Sequence, residues 1–517
     1  MRVVFIAAEC EPWAKTGGLG DVVDALARAV GRIPGGLSAP VDVFLPRYRT
    51  MSVPESRILA RRPVRIRDTR GAARATPFPT DLTGGDAGPW LDVELLDVAG
   101  DGYRLRLVDC PAAFDREAYY GPPGGDYPDN AWRFSLLCRA ALAAITDEGG
   151  GVDLLHLHDW HTSPVLLLRD GAFGAGTTTA RMAVLLTVHN LAYHGWVAPE
   201  RVSELGPDVR IDAPGTGLDL LGAAIERAEL VNTVSPGFAA EALRPEYGMG
   251  LDGALRAKGD RFIGILNGVD TEVWNPATDT ALAAPYDALD RDGKAACRAA
   301  LLESIGFDPA DAGPVLAMIG RLDPQKGFDL LAGAAESLLA MGARLVVLGS
   351  GDPALADPFR RLAALRPRQV ALLEGFDRAL ARRLYAGADL FVMPSRFEPC
   401  GQGQMIALRY GTPPIVRRTG GLADTVLDVT EQPEAGTGFV FDEPTADALA
   451  AACARAIAVH ADGAAWARLV ERGMALDFGW ERGPAQAYLA AYGRAVALRR
   501  GRDADAAAPP RPPVSST

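Results

Sequence analysis

Absences in the 517-residue chain narrow its setting before any motif is considered. No apolar run approaches the length of a membrane-spanning helix. The start, Met1 to Ala8, stays apolar for only a few residues before Glu9, Cys10 and Glu11, too short for the apolar region of a secretory signal. The six cysteines (Cys10, Cys110, Cys138, Cys297, Cys400 and Cys453) lie far apart and form no CxxC pair, which argues against a disulfide framework and against a zinc knuckle. A reducing, cytoplasmic setting fits best. Positive charge is in deficit: 53 lysines and arginines stand against 65 acidic residues, a net charge of −12. Long-range repulsion therefore disfavours nucleic acid or an anionic membrane as a partner, although a local basic cluster for a phosphate stays open. No repeat at solenoid spacing is evident.

Against these absences stands an ordinary globular composition, 48% apolar and 23% charged, in a chain too long for one core. Val3 to Ala8 reads as a buried strand and Asp21 to Val30 as a helix, with Val22, Val23, Leu26 and Val30 on one face. Buried strands are also predicted at 152–157, 182–188 and 229–234, because their apolar runs lack polar alternation. The pattern restarts after about residue 270, with strands at 314–319, 344–349, 370–373 and 389–393 and helices such as 329–341 between them. Two successive β/α series predict two doubly wound sheets, with ligand in the cleft between them at the carboxyl ends of the strands. Residues 60–85 read as an irregular or hairpin insertion, and the chain from Gly501 onward as a disordered tail.

Four segments carry chemistry. Lys15-Thr16-Gly17-Gly18-Leu19-Gly20-Asp21 connects the first strand to the first helix. Its glycines let the backbone approach a ligand, and the helix N-terminus with Lys15 favours an anion. It is neither a Walker A loop nor a GxGxxG fingerprint, and a tight βα connection is the plainer alternative. Second, five of the six histidines (His156, His158, His161, His189 and His194) fall within 39 residues, beginning at the end of a strand. Buried, hydrogen-bonded rings are the ordinary explanation. A zinc site would need three or four convergent ligands.

In the third segment, Gly320-Arg321-Leu322-Asp323-Pro324-Gln325-Lys326-Gly327, Arg321 and Lys326 sit on a loop that opens a helix, placed to clamp a pyrophosphate from two sides. The fourth is Pro394-Ser395-Arg396-Phe397-Glu398-Pro399-Cys400-Gly401, with Glu398 at a strand-to-helix corner. A carboxylate there can accept hydrogen bonds from sugar hydroxyls and stabilise positive charge as a glycosidic bond loosens.

These segments resemble the bacterial glycogen synthase and plant starch synthase family in consistent order over roughly residues 1–500. Lys15 to Leu19 resembles its KTGGL signature, and His158-Asp159-Trp160-His161-Thr162 its HDWHT segment. Thr187 to Tyr193 resembles THNLAYQG, with His194 in place of the glutamine, and Arg321 to Gly327 resembles SRLxxQKG. The PSRFEPCG run is identical, although the usual EPCGLTQ continues here as Gln402-Gly403-Gln404. Asp129-Asn130 with Arg133-Phe134 is similar to DNxxRF, and Asn267-Gly268-Val269-Asp270 and Gly420 to Val426 fit as well.

The resemblance implies a GT-B type α/β fold, two doubly wound Rossmann-like domains facing each other across a deep cleft. Residues 1–262 would form the acceptor-side domain and 263–477 the nucleotide-sugar-binding domain. A helix at 478–500 would cross back to the first domain, ahead of a tail at 501–517. It implies catalytic roles for Glu398, His161, Arg321 and Lys326. Lys15, Gly17, Gly18, Asp21, Asn267, Cys400, Gly401 and Thr425 would bind the nucleotide sugar. Asp129, Asn130 and His189 would lie near sugar or acceptor.

The implied reaction passes glucose from ADP-glucose to the non-reducing end of glycogen or another α-1,4-glucan with retention, without cofactor or metal. Double displacement would need a carboxylate nucleophile near the anomeric carbon, and none is identifiable, so front-face departure and attack is expected. UDP-glucose as donor, a phosphorylase-like enzyme with pyridoxal phosphate, and a non-catalytic glucan-binding relative are the alternatives.

Overall fold

The computed structural model describes residues 1–70, 90–122, 125–171, 177–206, 209, 216–310, 312–375 and 377–507, with side chains to 502. Two compact units emerge. The first comprises Met1–Thr233, Ala242–Ile265 and the chain from Gly483 onward; the second comprises Val234–Glu241 and Leu266–Arg482.

The first unit is built on a nine-stranded sheet. Its strands are β1 (Val3–Ile6), β2 (Asp42–Pro46), β3 (Ile58–Arg67), β4 (Trp90–Ala99), β5 (Arg104–Asp109), β6 (Leu154–His158), β7 (Ala183–Val188), β10 (Leu230–Thr233) and β11 (Phe262–Gly264). A two-stranded pair, β8 (Trp196–Val197) and β9 (Leu218–Asp219), lies apart from it. The large sheet runs in the order β11-β10-β7-β6-β1-β2-β5-β4-β3. Its order reverses between β1 and β6, which pair in parallel from Val3 with Leu154 to Ile6 with Leu157. Every residue of β1, β6, β7 and β10 is buried, the reason these runs lack alternation. β3 and β4 form an antiparallel hairpin in which Val64 and Ile66 point inward and Arg65 outward, a period of two. Residues 71–85 of the expected insertion lie outside the described residues.

The second unit carries β12 (Val315–Leu322), β13 (Arg344–Gly351), β14 (Val370–Glu374), β15 (Leu390–Met393), β16 (Pro414–Arg417) and β17 (Phe439–Phe441). All pair in parallel, in the order β14-β13-β12-β15-β16-β17. Counted along the chain this is the 3-2-1-4-5-6 order of a dinucleotide-binding fold, with its switch point between β12 and β15.

The helix Pro484–Ala507 belongs to the first unit and runs seven residues into the segment expected as a disordered tail. The cause is Glu229, a fully buried carboxylate that accepts from Arg169 at 2.8 Å and from Arg502, beyond residue 500, at 3.0 Å. Residues 508–517 lie outside the described residues. No helix among the described residues is long and apolar enough to cross a membrane.

Candidate active site

In the first unit the expected residues gather where β1 and β6 end. Glu9 is buried there, and its carboxylate accepts from the Thr16 amide at 2.6 Å, the Gly17 amide at 3.2 Å and the Thr16 hydroxyl at 2.7 Å. That carboxylate folds the turn ahead of the helix Gly18–Arg32. A Cβ on Gly17 or Gly18 would meet nothing within 4 Å, whereas one on Gly20 would press on the Ala14 carbonyl at 3.2 Å. Gly20 thus sits close against the Ala14 carbonyl, while Gly17 and Gly18 leave the turn open to a ligand's approach. The Lys15 ammonium pairs with Asp21 at 2.5 Å and lies 3.7 Å from Glu11.

Beyond β6, His158 Nδ1 lies 3.1 Å from His189 Nε2 at the end of β7. Asp159 adopts φ of +56°, a region costly for a residue with a Cβ, and its carboxylate accepts the His189 amide at 2.7 Å. Burial pushes the Asp159 carboxyl up to about 7. His161 is enclosed by Trp160, stacked at 4.2 Å, and by Tyr120 and Phe134 at 4.8 Å and 4.7 Å. Burial lowers both His161 and His189 to about 3, so both rings are neutral at pH 7 and act through N–H groups and lone pairs rather than charge. His161 Nδ1 and His158 Nε2 are buried without a partner among the described residues. His156 lies deeper, between Tyr492 at 3.0 Å and Thr187 at 2.6 Å.

Asp129 and Asn130 are engaged by protein. Asp129 accepts from Arg116 at 2.8 Å; Asn130 donates to the Tyr120 carbonyl at 2.7 Å and accepts from Arg133 at 2.6 Å. Arg133 also holds the carbonyls of Ala113 and Tyr119. This bracing sets Tyr120, whose hydroxyl donates to Glu9 while its ring lies against His161. Tyr120 thereby ties the glycine turn to the histidine wall. Sequence reading missed both Glu9 and Tyr120.

In the second unit the expected residues gather at the switch point between β12 and β15. Arg321, the last residue but one of β12, is exposed, and its guanidinium has no hydrogen-bond or ion-pair partner among the described residues. Asp323 spends its carboxylate on the Gln325 amide, 2.8 Å away, capping the turn that presents Lys326. Gln325 then clasps the loop after β15, donating to the Phe397 carbonyl at 3.1 Å and accepting from the Arg396 amide at 2.8 Å. Gly327 has φ of +74°, and a Cβ there would lie 2.2 Å from the Pro394 carbonyl oxygen, so only glycine lets the loops meet this closely. Lys326 Nζ donates to Glu398 Oε2 at 2.6 Å, and the Ser395 hydroxyl donates to the same oxygen at 3.0 Å.

The loop after Glu398 is fixed from behind. Gln404 donates to the carbonyls of Cys400 and Gly401 and to the Thr425 hydroxyl, all within 3.1 Å. Hence Thr425 and Cys400 are brought together, and the tying is done by Gln404, the residue that matches the final glutamine of EPCGLTQ, while the departures are confined to Gln402 and Gly403. A Cβ on Gly420 would lie 2.1 Å from the Glu398 carbonyl oxygen, and one on Gly421 2.1 Å from that of Cys400. The segment Val234–Glu241 completes this unit: Ser235 donates to the Pro399 carbonyl at 2.6 Å, and Glu241 accepts the Gly420 amide at 2.9 Å. Burial pushes the Cys400 thiol up to about 12, so it packs as a neutral side chain. Asn267 is buried, with Oδ1 unpartnered among the described residues.

Two Rossmann-like units, each with candidate ligand-binding residues at its own switch point, define a glycosyltransferase of the GT-B class. The first part of the chain matches the starch synthase catalytic domain over residues 2–257, and the second matches glycosyl transferases group 1 over residues 313–458. The chain is 44% identical to the glycogen synthase of Anaeromyxobacter sp. (strain Fw109-5) over 501 residues, 95% of this chain and 99% of that one. It is 40% identical to the glycogen synthase of Paracidovorax citrulli over 515 residues, 96% of this chain and 95% of the relative. Among solved structures, the catalytic domain of starch synthase IV from Arabidopsis thaliana, bound to ADP and acarbose, matches with a TM-score of 0.82 at 33% identity, covering 96% of this chain and 99% of that one. The chain belongs to the glycogen and starch synthase family.

Proposed function

We propose that the protein transfers glucose from ADP-glucose to the 4-hydroxyl at the non-reducing end of an α-1,4-glucan, with retention of configuration. The observation that carries this reading is the pairing of Lys326 with Glu398 at the switch point of the second sheet, with Arg321 on the same strand end. The relative solved with ADP and acarbose supports an adenine nucleotide as the donor's carrier and a glucan as acceptor.

In this mechanism the bond between the anomeric carbon and the diphosphate oxygen breaks, and its electron pair leaves with ADP. The acceptor oxygen forms the new bond on the same face of the sugar. Its proton passes to the departing phosphate oxygen. Arg321 and Lys326 neutralise the growing negative charge on the diphosphate. Glu398 orients a sugar hydroxyl and faces the positive charge that develops on the ring. On the first unit, the open turn at Gly17 and Gly18 leaves room for an anionic group, with the Lys15 ammonium beside it. Neutral His161 offers a hydrogen bond to the glucosyl group, and His189 supports it on the acceptor side.

The test incubates the purified protein with glycogen and either ADP-glucose or UDP-glucose, following nucleotide release and glucose incorporation. Faster transfer from ADP-glucose is expected. Preference for UDP-glucose would overturn the donor assignment, and no transfer from either would overturn the reading.

A further inference from the structure

Two large aromatic side chains stand in solvent three residues apart on the segment after β7: Tyr193 is 54% exposed and Trp196 67%. Single exposed apolar residues are commonplace, but here two lie together and Trp196 is held on a built support. Trp196 pairs with Asp219 across β8 and β9, and a Cβ on Gly217 would lie 2.6 Å from its indole, so the ring rests directly on backbone. Gly195, at φ of +67°, is pressed against Trp160, where a Cβ would come within 2.2 Å of the ring. Trp160 in turn stacks on His161. A continuous series of ring and glycine contacts thus runs from His161 through Trp160 and Gly195 to Trp196. Beside it, His194 Nδ1 lies 2.6 Å from the Asp219 carboxylate, both partly exposed.

We propose that Trp196 and Tyr193 form an aromatic subsite for the glucan acceptor on the first unit. A pyranose presents a face of C–H groups and a rim of hydroxyls. The flat indole fits the face, and the His194–Asp219 pair offers a donor and an acceptor to the rim. The Gly217 contact beneath the indole fixes Trp196 in advance, so that ring loses little conformational freedom when sugar binds. Two side chains make a patch far below the area of a stable protein–protein interface, which favours a sugar chain over a second copy of the protein. The inference rests on the glucan reading of the preceding section and adds the residues that would hold the polymer.

The experiment measures glucan affinity directly, by retardation in native gels containing glycogen and by tryptophan fluorescence on titration with maltoheptaose. Trp196→Ala and Tyr193→Ala are each expected to weaken binding roughly three- to tenfold, the size of one aromatic contact. Trp196→Phe should retain part of the affinity, which separates ring stacking from a general loss of fold. Leu289→Ala removes another exposed apolar side chain, 97% exposed and in the second unit, and is expected to change nothing. Wild-type affinity in both alanine variants would overturn the subsite. So would a change in sedimentation with glucan affinity intact, since the rings would then serve self-association. Wild-type protein that binds glucan but transfers no glucose would instead defeat the proposed reaction and leave the subsite standing.

Discussion

The Lys326 ammonium lies 2.6 Å from the Glu398 carboxylate, although 72 residues separate them in sequence. One follows β12 and the other β15, the adjacent strands that flank the switch point. Glu398→Gln keeps the shape and an acceptor oxygen while removing the charge. It is expected to lower kcat by roughly two to three orders of magnitude, the usual size of a lost transition-state contact, with the unfolding midpoint little changed. Steady-state kinetics alongside a thermal scan decide this. Near-normal turnover would remove the Glu398 carboxylate from the chemistry.

Tyr120 should act on donor binding from a distance. Its hydroxyl donates to Glu9, which organises the Thr16–Gly17 turn. Tyr120→Phe deletes one hydrogen bond to a charged acceptor and is expected to raise the KM for donor roughly tenfold while kcat falls less. Glu9→Gln should do more, because it weakens several bonds together. Equal donor KM in wild type and both variants would refute the linkage.

Gly327→Ala tests the contact between the two loops of the second unit. The new Cβ would clash with the Pro394 carbonyl at 2.2 Å in a backbone region that disfavours side chains. A loss of about 2–3 kcal/mol is expected. For a unit of this size that lowers the thermal midpoint by roughly 5 °C or more, measurable by calorimetry. An unchanged midpoint would mean the loops separate freely.

Acid should destabilise the first unit. His161 and His189 titrate near 3 when folded against 6.5 in the free side chain, and His156 and His158 are lowered by burial as well. Below pH 6.5 the unfolded chain takes up protons that these folded rings refuse, so stability falls as pH drops. Asp159 opposes this: raised to about 7, it holds a proton in the folded state that the unfolded chain releases above pH 3.8. Four histidines outweigh one carboxyl. Each net proton is worth about 1.4 kcal/mol per pH unit. Denaturant unfolding at pH 7, 6 and 5 should show decreasing stability, and a flat or inverted trend would contradict the burial of these rings.

Both sheets were legible because strands buried on two faces tend to be apolar throughout, as β1, β15 and β17 are. The glycine turn, the histidine segment and the Lys326 loop were legible because each is local, a short run joined to a strand end. Glu9 and Tyr120 were not, since 111 residues separate them and neither carries a distinctive neighbourhood. Ser235 and Glu241 escaped for the same reason: their partners Pro399 and Gly420 are 164 and 179 residues away. The terminal helix outran its expected end because the residue that anchors it, Glu229, sits in a run that reads as a buried strand.

The assignment of Val234–Glu241 to the second unit has a practical consequence for dissecting the molecule. The polypeptide changes units at 233/234, 241/242, 265/266 and 482/483. No single cut therefore yields two self-sufficient pieces. A fragment beginning at Leu266 would lack the eight residues that brace its own Pro399 and Gly420. Chimaeras between family members have to transplant that short stretch together with the later one, or they inherit a mismatched support.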